Sequence, residues 1–179
     1  CKEQFPRTRL EVYSKNGTGP LDLLDNGQAS ILIIPWLKSI DKFESMHFMN
    51  VRFISVISAD SSVLQKYEVV PKTVIRTYPQ VIISGRKSSN TTYGVIEGAD
   101  QWRVNDFQTK KEIIMQGMGW GSLPEHLIKD ELAQGLLAPL RVEGEVEYPT
   151  VEFRVARLAS EPAGPVAQRL WQLFQEGTN

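Results

Sequence analysis

Polar residues that could bind an anion stand at three places where the sequence predicts that a strand ends. The first group is Asn16, Gly17 and Thr18, which lies between a predicted strand and a predicted helix. Free backbone N–H groups and the positive end of a helix dipole favour an anion at such a position. The same residues are typical of an ordinary turn, because Asn-Gly readily adopts turn geometry. A ligand loop and a plain turn are both compatible with this segment.

The second group is Ser84, Gly85 and Arg86, which follows a predicted buried strand. These residues should lie at the carboxyl end of that strand, where open α/β sheets bind ligands. Arg86 could pair with a carboxylate through two parallel hydrogen bonds. It could also remain solvated, as many exposed loop arginines do.

The third group is Asn105, Asp106 and Phe107, which begins a predicted helix after another strand. An aspartate at this position favours an N-cap, in which the carboxylate accepts hydrogen bonds from the first turn of the helix. A direct ligand contact by Asp106 is the alternative interpretation. We therefore expect a cap first and keep the ligand contact open.

Residues suited to metal binding or covalent catalysis are sparse. His47 and His126 are isolated from other metal-binding side chains. The glycine-rich segment 117–121 lacks the Lys-Ser/Thr pair of a phosphate-binding P-loop, so we expect Met118 and Trp120 to lie in a buried strand whose glycines allow close packing. No Gly-x-Ser-x-Gly motif is present. The sequence predicts a protein that is not an enzyme and needs no metal or cofactor.

Charge and composition narrow the function further. The 179 residues include 20 basic and 21 acidic side chains, a formal net charge of -1. Binding to a phosphate backbone needs clustered positive charge, so any DNA contact should come from another segment. The apolar stretch 29–37 is too short to span a membrane. The single cysteine, Cys1, cannot form an internal disulfide, which suits the reducing cytoplasm.

Alternating strands and helices must position the three polar groups. Residues 9–13 alternate polar and apolar side chains, which predicts a half-buried strand. Pro20 should open a short helix that ends at Gly27, and the apolar run 30–34 predicts a strand in the centre of a covered sheet. A strand, a helix and a strand in this order predict a parallel βαβ unit. The fold class is therefore α/β.

The later elements continue this alternation. We expect the helix that begins at Asp106 to bury Ile113 and Ile114, and the next helix, ending at Gly135, to bury Leu127, Ile128 and Leu132. Further strands are predicted at 51–58, 81–83, 102–104 and 151–156, with helices at 69–78, 106–116, from 124 to Gly135, and from Pro165 onward.

The segment 102–140 resembles the LysR-type transcriptional regulator family. Its motif Gly-Met-Gly-Trp-Gly-Ser-Leu-Pro-Glu-His-Leu at 117–127 is followed, at the spacing of that family, by Gly-Leu-Leu-Ala-Pro-Leu at 135–140. The chain departs from the family at Ser30, where an acidic residue is usual. Similar residues occur from end to end of the chain: Phe5-Pro6 before Leu10-Glu11-Val12, Leu24-Asp25-Asn26-Gly27, and Gly164-Pro165.

The resemblance implies a fold like that of type II periplasmic binding proteins. Two Rossmann-like subdomains would be joined by crossover strands, with a small-molecule cleft that the three polar groups face. The start of the chain resembles the last turn of a helix, so we expect the first strand and most of the first helix of subdomain I to be missing. The implied boundaries are 1–81 plus 152–179 for subdomain I and 82–151 for subdomain II.

The resemblance also implies a function and partners. The chain would be the effector-binding domain of a DNA-binding regulator, sensing a small molecule, such as an anionic metabolite, in the cytoplasm. It would form a dimer or tetramer side by side through residues 9–13 and 106–116, and would reach DNA only through a separate head domain. Two rival interpretations are a periplasmic solute-binding protein of a transporter and an α/β enzyme.

Overall fold

The longest strand of the protein, β2 (Phe43–Ser58), is shared between two structural units. Unit 1 comprises Cys1–Asn50 and Val151–Asn179, and unit 2 comprises Val51–Thr150. The computed structural model describes residues 5–13, 19–35, 42–83, 94–159 and 164–177. Within those ranges, no helix is both long enough and apolar enough to cross a membrane.

Unit 1 is built on antiparallel strands. Strand β1 (Leu32–Pro35) pairs with β7 (Thr150–Leu158), with Leu32 opposite Ala156. Helix α1 (Gly19–Asp25) follows the sequence prediction closely, and Gly27 ends it with a positive φ of 66°. An apolar core of unit 1 is formed by Leu24, Leu32 and Phe43, with Leu21, Ala29, Ile34 and Leu158 packed against them.

Helix α6 (Pro165–Gly177) belongs to unit 1 and packs against its strands, as the apolar spacing of the helix predicts. The rings of Phe48 and Phe174 meet edge to face with centroids 5.6 Å apart. The guanidinium of Arg157 lies 4.3 Å from the centroid of the buried Trp171 ring. Apolar and cation–π contacts therefore attach this helix to the strands.

Unit 2 contains a mixed sheet in the order β2, β5, β3, β4, with β6 pairing on β2. Strand β3 runs parallel to β4 and β5, whereas β2 runs antiparallel to β5 and β6. The elements of this unit after β2 are α2 (Ser62–Lys66), α3 (Lys72–Ile75), β3 (Gln80–Ile83), β4 (Gln101–Val104), α4 (Phe107–Met115), β5 (Trp120–Pro124), a 3-10 turn (Glu125–Leu127), α5 (Lys129–Ala133) and β6 (Leu137–Pro139).

The two faces of this sheet bury separate apolar clusters because successive side chains of a strand point to opposite faces. Trp120 belongs to one cluster with Ile57 and Ile75, and Leu123 belongs to the other with Val81 and Ile114. Both faces are covered, as the buried strands predicted for this region require.

Two glycines let β5 approach its neighbours closely, as expected from the sequence. A Cβ on Gly119 would lie 2.6 Å from the carbonyl oxygen of Pro79, and one on Gly121 would lie 2.6 Å from that of Val81. Neither contact is sterically tolerable, so these positions require glycine. Trp120 between them is buried as predicted, but Met118 is 46% exposed and lies outside the strand.

Several local expectations are wrong. Residues 9–13 form no strand, and the Leu10 and Val12 side chains there are exposed. Strand β1 stands at the end of the strand order and leaves Ile33 exposed, so the predicted parallel βαβ unit is absent from the described residues. A strand forms only where a neighbour satisfies its backbone, and none of the described residues does so for 9–13. Leu127 is also exposed, because the second predicted helix begins with a 3-10 turn.

The units divide at a different residue from the predicted subdomains at the first boundary. The sequence assigned 51–81 to subdomain I, whereas the structure groups these residues with unit 2. The cause is pairing: β2 from Phe53 to Ile57 bonds along β5, and the Val70 N–H donates to Arg141. The second division lies between Thr150 and Val151, and the subdomain boundaries implied by the family resemblance stay a prediction.

Candidate functional site

The carboxyl ends of β3 and β4 lie side by side in unit 2. These strands are parallel, and Ile83 of β3 is in register with Val104 of β4. The described ends of these two strands, Ile83 and Val104, therefore lie at the same edge of the sheet. This is the edge at which open α/β sheets commonly bind ligands.

Asp106 caps helix α4 at this edge. Its carboxylate accepts hydrogen bonds from the backbone N–H and from the hydroxyl of Thr109, both at 2.8 Å. The backbone hydrogen bond, followed by that of the hydroxyl, lowers the pKa of Asp106. The predicted cap is thus confirmed, and a ligand contact by this carboxylate stays a prediction.

The residues beside Asp106 have different environments. Asn105 is exposed at the end of β4. Phe107 is half-buried, packs against the cluster that contains Ile114, and has its ring centroid 6.2 Å from that of Phe53. Phe107 therefore anchors the start of α4 to the sheet.

The other two predicted groups lie outside the described residues. Asn16, Gly17 and Thr18 precede α1, and Ser84, Gly85 and Arg86 follow β3. Their roles in ligand binding stay predictions.

Lys110 is a polar residue of the site region that the sequence analysis missed. It is only 5% exposed, and its side-chain amine has no hydrogen bond or ion pair with any of the described residues. Burial alone lowers the pKa of Lys110 to about 7. The spacing of Phe107, Lys110 and Ile114 was an available signal, because residues three and four apart share one helix face.

Gln80 is the second polar residue that was missed. Its side chain is buried, donates to the Gly94 carbonyl at 2.6 Å and accepts from the Ile96 N–H at 3.0 Å. It fixes the chain where it returns toward β4. A glutamine at the start of a strand carries no sequence signal for such a role.

Metal and general catalytic chemistry find little support in the described parts of the chain. No group of three or more His, Cys, Asp or Glu side chains is arranged there to hold a metal ion. His47 and His126 are both exposed. Among the described groups, Lys110 is the buried titratable side chain with an altered pKa.

A model of the LysR substrate-binding domain family matches residues 1–179. The chain belongs to this family. As a member of the LysR family, it is an effector-binding regulatory domain of a transcription regulator, and the transporter alternative is not favoured.

Solved LysR-family regulatory domains share the fold. The CcmR regulatory domain from Synechocystis PCC6803, solved in complex with 2-PG, has a TM-score of 0.73 and 18% identity, covering 99% of this chain and 87% of that one. The C-terminal domain of a probable LysR family regulator from Rhodococcus sp. RHA1 has a TM-score of 0.72 and 16% identity, covering 97% and 87%. The MetR regulatory domain from N. meningitidis has values of 0.68 and 12%, covering 98% and 82%. The fold is therefore that of the type II periplasmic binding proteins, as expected from the sequence.

Proposed function

We propose that this LysR-family domain senses an anionic small molecule at the carboxyl edge of β3 and β4. The observation that carries the proposal is the parallel register of Ile83 with Val104, which makes the two strand ends neighbours. Residues 84–86 and 105–107 follow these strands and supply the polar groups of the proposed site. A ligand-binding role of residues 16–18, which belong to unit 1, stays a separate proposal.

Arg86 is the proposed partner of the anion. A guanidinium can form two parallel hydrogen bonds to a carboxylate or phosphate, which gives both strength and orientation. Asp106 acts first as the helix cap in this proposal, because both its oxygens accept hydrogen bonds from Thr109, and its contact with a hydrogen-bond donor of the ligand stays a prediction. Its proposed role is to hold the start of α4 beside the ligand.

A thermal-shift screen tests this function. The panel consists of small carboxylates and phosphorylated metabolites, with 2-PG included because the similar CcmR domain was solved with it. A ligand at 100 times its Kd stabilises the folded state by about 2.7 kcal/mol, which is easily detected. If no compound on the panel raises Tm, the proposal of an anionic effector is wrong.

Paired arginine variants locate the ligand. Arg86→Met should weaken binding of the hit at least tenfold. Arg76→Met is the matched control, because Arg76 is exposed at the end of α3, on the side of the sheet where β3 begins. Equal affinities of the two variants would contradict the assignment of Arg86.

We also propose side-by-side association through residues 9–13 and the exposed face of α4. Support comes from residues 9–13, where the Leu10 and Val12 side chains are 69% and 84% exposed. Val12→Glu should shift the protein toward monomer in sedimentation velocity, whereas Val146→Glu, at another highly exposed valine in unit 2, should not. A monomeric wild type, or no effect of Val12→Glu, would contradict this interface.

DNA binding is assigned in this proposal to a separate head domain of a cytoplasmic regulator, and no catalytic step is assigned to this chain. The near-neutral charge balance of the chain supports the first part. A mobility-shift assay with the 179-residue chain at 150 mM salt should detect no DNA complex. A stable complex would contradict the assignment.

A further inference from the structure

Lys110 carries a buried amine for which the described residues supply no partner. The residue is 5% exposed, although lysine is among the residues least often buried without a pair. A buried ammonium without a counter-charge costs several kcal/mol. Something outside these residues must compensate it, or the amine must lose its proton.

The nearest charged side chains on α4 are already engaged. The carboxylate of Asp106, one turn earlier, accepts two hydrogen bonds from Thr109. The ammonium of Lys111 pairs with Glu131 of α5. Neither carboxylate is therefore available to Lys110.

The strands below Lys110 leave space for its amine. A Cβ on Gly121 would lie 2.8 Å from Cε and 3.2 Å from Nζ of Lys110, so the amine end of the side chain occupies the position of a missing side chain on β5. The atom of β3 at this position is the backbone carbonyl oxygen of Val81, which carries no formal charge. Glycine at 121 thus permits a cation to lie on the sheet among groups that do not neutralise it.

We propose that Lys110 is the cationic anchor of an oxyanion-binding subsite between α4 and β5 of unit 2. The ligand group is a carboxylate or a sulfate- or phosphate-type oxyanion, which accepts the hydrogen bonds that the three donors of the ammonium can make. The subsite rests on the proposed sensing function and deepens it, adding a contact apart from residues 84–86. Binding gains because an anion relieves the cost of the uncompensated charge.

The titration of Lys110 itself tests the subsite. Wild-type protein labelled with 13C at the lysine Cε atoms is titrated by NMR from pH 5.5 to 11, alone and with 20 mM sodium acetate or sodium sulfate at matched ionic strength. Both anions stay charged over this range. Lys110→Met assigns the resonance, and if that variant does not fold, the unusual midpoint near pH 7 identifies it in the wild type.

The expected result is a saturable shift of the Lys110 resonance and a rise of its midpoint by at least one pH unit with one of the two anions. Acetate as the better ligand indicates a carboxylate, and sulfate indicates a tetrahedral oxyanion. The resonance of the exposed Lys66 is the control and should not respond to either anion. An unmoved Lys110 midpoint, or an equal shift at Lys66, would overturn the subsite.

This outcome is independent of the effector screen. A metabolite that raises Tm while Lys110 stays silent would leave the sensing function standing and remove the subsite. Loss of the acetate or sulfate effect on Tm in Lys110→Met, with the effect kept in Lys66→Met, would support the subsite even if no metabolite binds.

Discussion

Replacing Lys110 by methionine should stabilise the protein below neutral pH. Methionine keeps an unbranched side chain of similar length and removes the charge. Burial lowers the pKa of Lys110 from 10.5 to about 7 in the folded state, a difference of 3.5 pH units. Keeping the proton on Lys110 therefore destabilises the folded state. At about 1.36 kcal/mol per unit, the upper limit of the gain is about 5 kcal/mol.

The pH dependence of this gain follows from proton binding. Below pH 7 the folded and unfolded chains both hold the proton, so the penalty in the wild type is complete. Between pH 7 and 10.5 the unfolded chain binds a proton that the folded chain lacks, so the free energy of unfolding rises with pH. Above pH 10.5 both states are neutral and the penalty has gone.

Urea unfolding, followed by circular dichroism at pH 6, 8 and 10.5, measures the free energy of unfolding of the wild type and of Lys110→Met. The buffers are cationic, and chloride is the only anion present. The advantage of Lys110→Met should be largest at pH 6 and shrink toward zero at pH 10.5. Lys66→Met removes the same charge from an exposed position and should leave the free energy of unfolding unchanged at each of these pH values. A constant advantage across pH, or a loss of stability at pH 6, would refute the assignment of an uncompensated buried ammonium.

Three other substitutions test local features of unit 2 by urea unfolding. Asp106→Ala should lower the urea midpoint because it removes the α4 cap, whereas Asp106→Asn should retain most of the wild-type midpoint at pH 7. In the wild type, the stabilisation by the cap should be lost as pH falls through the lowered pKa of the Asp106 carboxyl. Equal effects of the two would contradict the cap. Gly121→Ala should cost about 1–3 kcal/mol through overpacking, while Gly164→Ala, with no atom near its added Cβ, should be close to neutral. Gln80→Leu should cost about 1–3 kcal/mol because it leaves the buried Ile96 N–H unpaired and removes the donor to the Gly94 carbonyl, whereas Gln65→Leu on the exposed face of α2 should not.

Local signals predicted the elements around the site well. The cap at Asp106, the buried Ile114 and the glycine end of α5 at Gly135 each depend on residues within a few positions. Such features are readable because a helix satisfies its own backbone. The alternation of strands and helices predicted the α/β class, and the family motif at 117–127 added the expectation of a fold like that of type II periplasmic binding proteins.

Features that depend on distant residues could not be read in the same way. Residues 9–13 have the alternation of a strand, yet strand formation depends on a partner elsewhere. The division after Asn50 falls inside the continuous strand β2, so no turn or loop in the sequence marks it. Lys110 was missed because lysine is normally a surface residue, and only the glycine at 121, eleven positions later, makes room for it.

The paired bonds of Gln80 have a consequence for how this domain can change over evolutionary time. They tie Gly94 and Ile96 to the beginning of β3, so the connection between β3 and β4 starts and returns at points that the sheet holds. Doubling the length of a flexible connection costs only about 0.6 kcal/mol of closure entropy. Substitutions and insertions at positions 84–93, which include part of the proposed ligand site, should therefore accumulate with little loss of stability in the sheet.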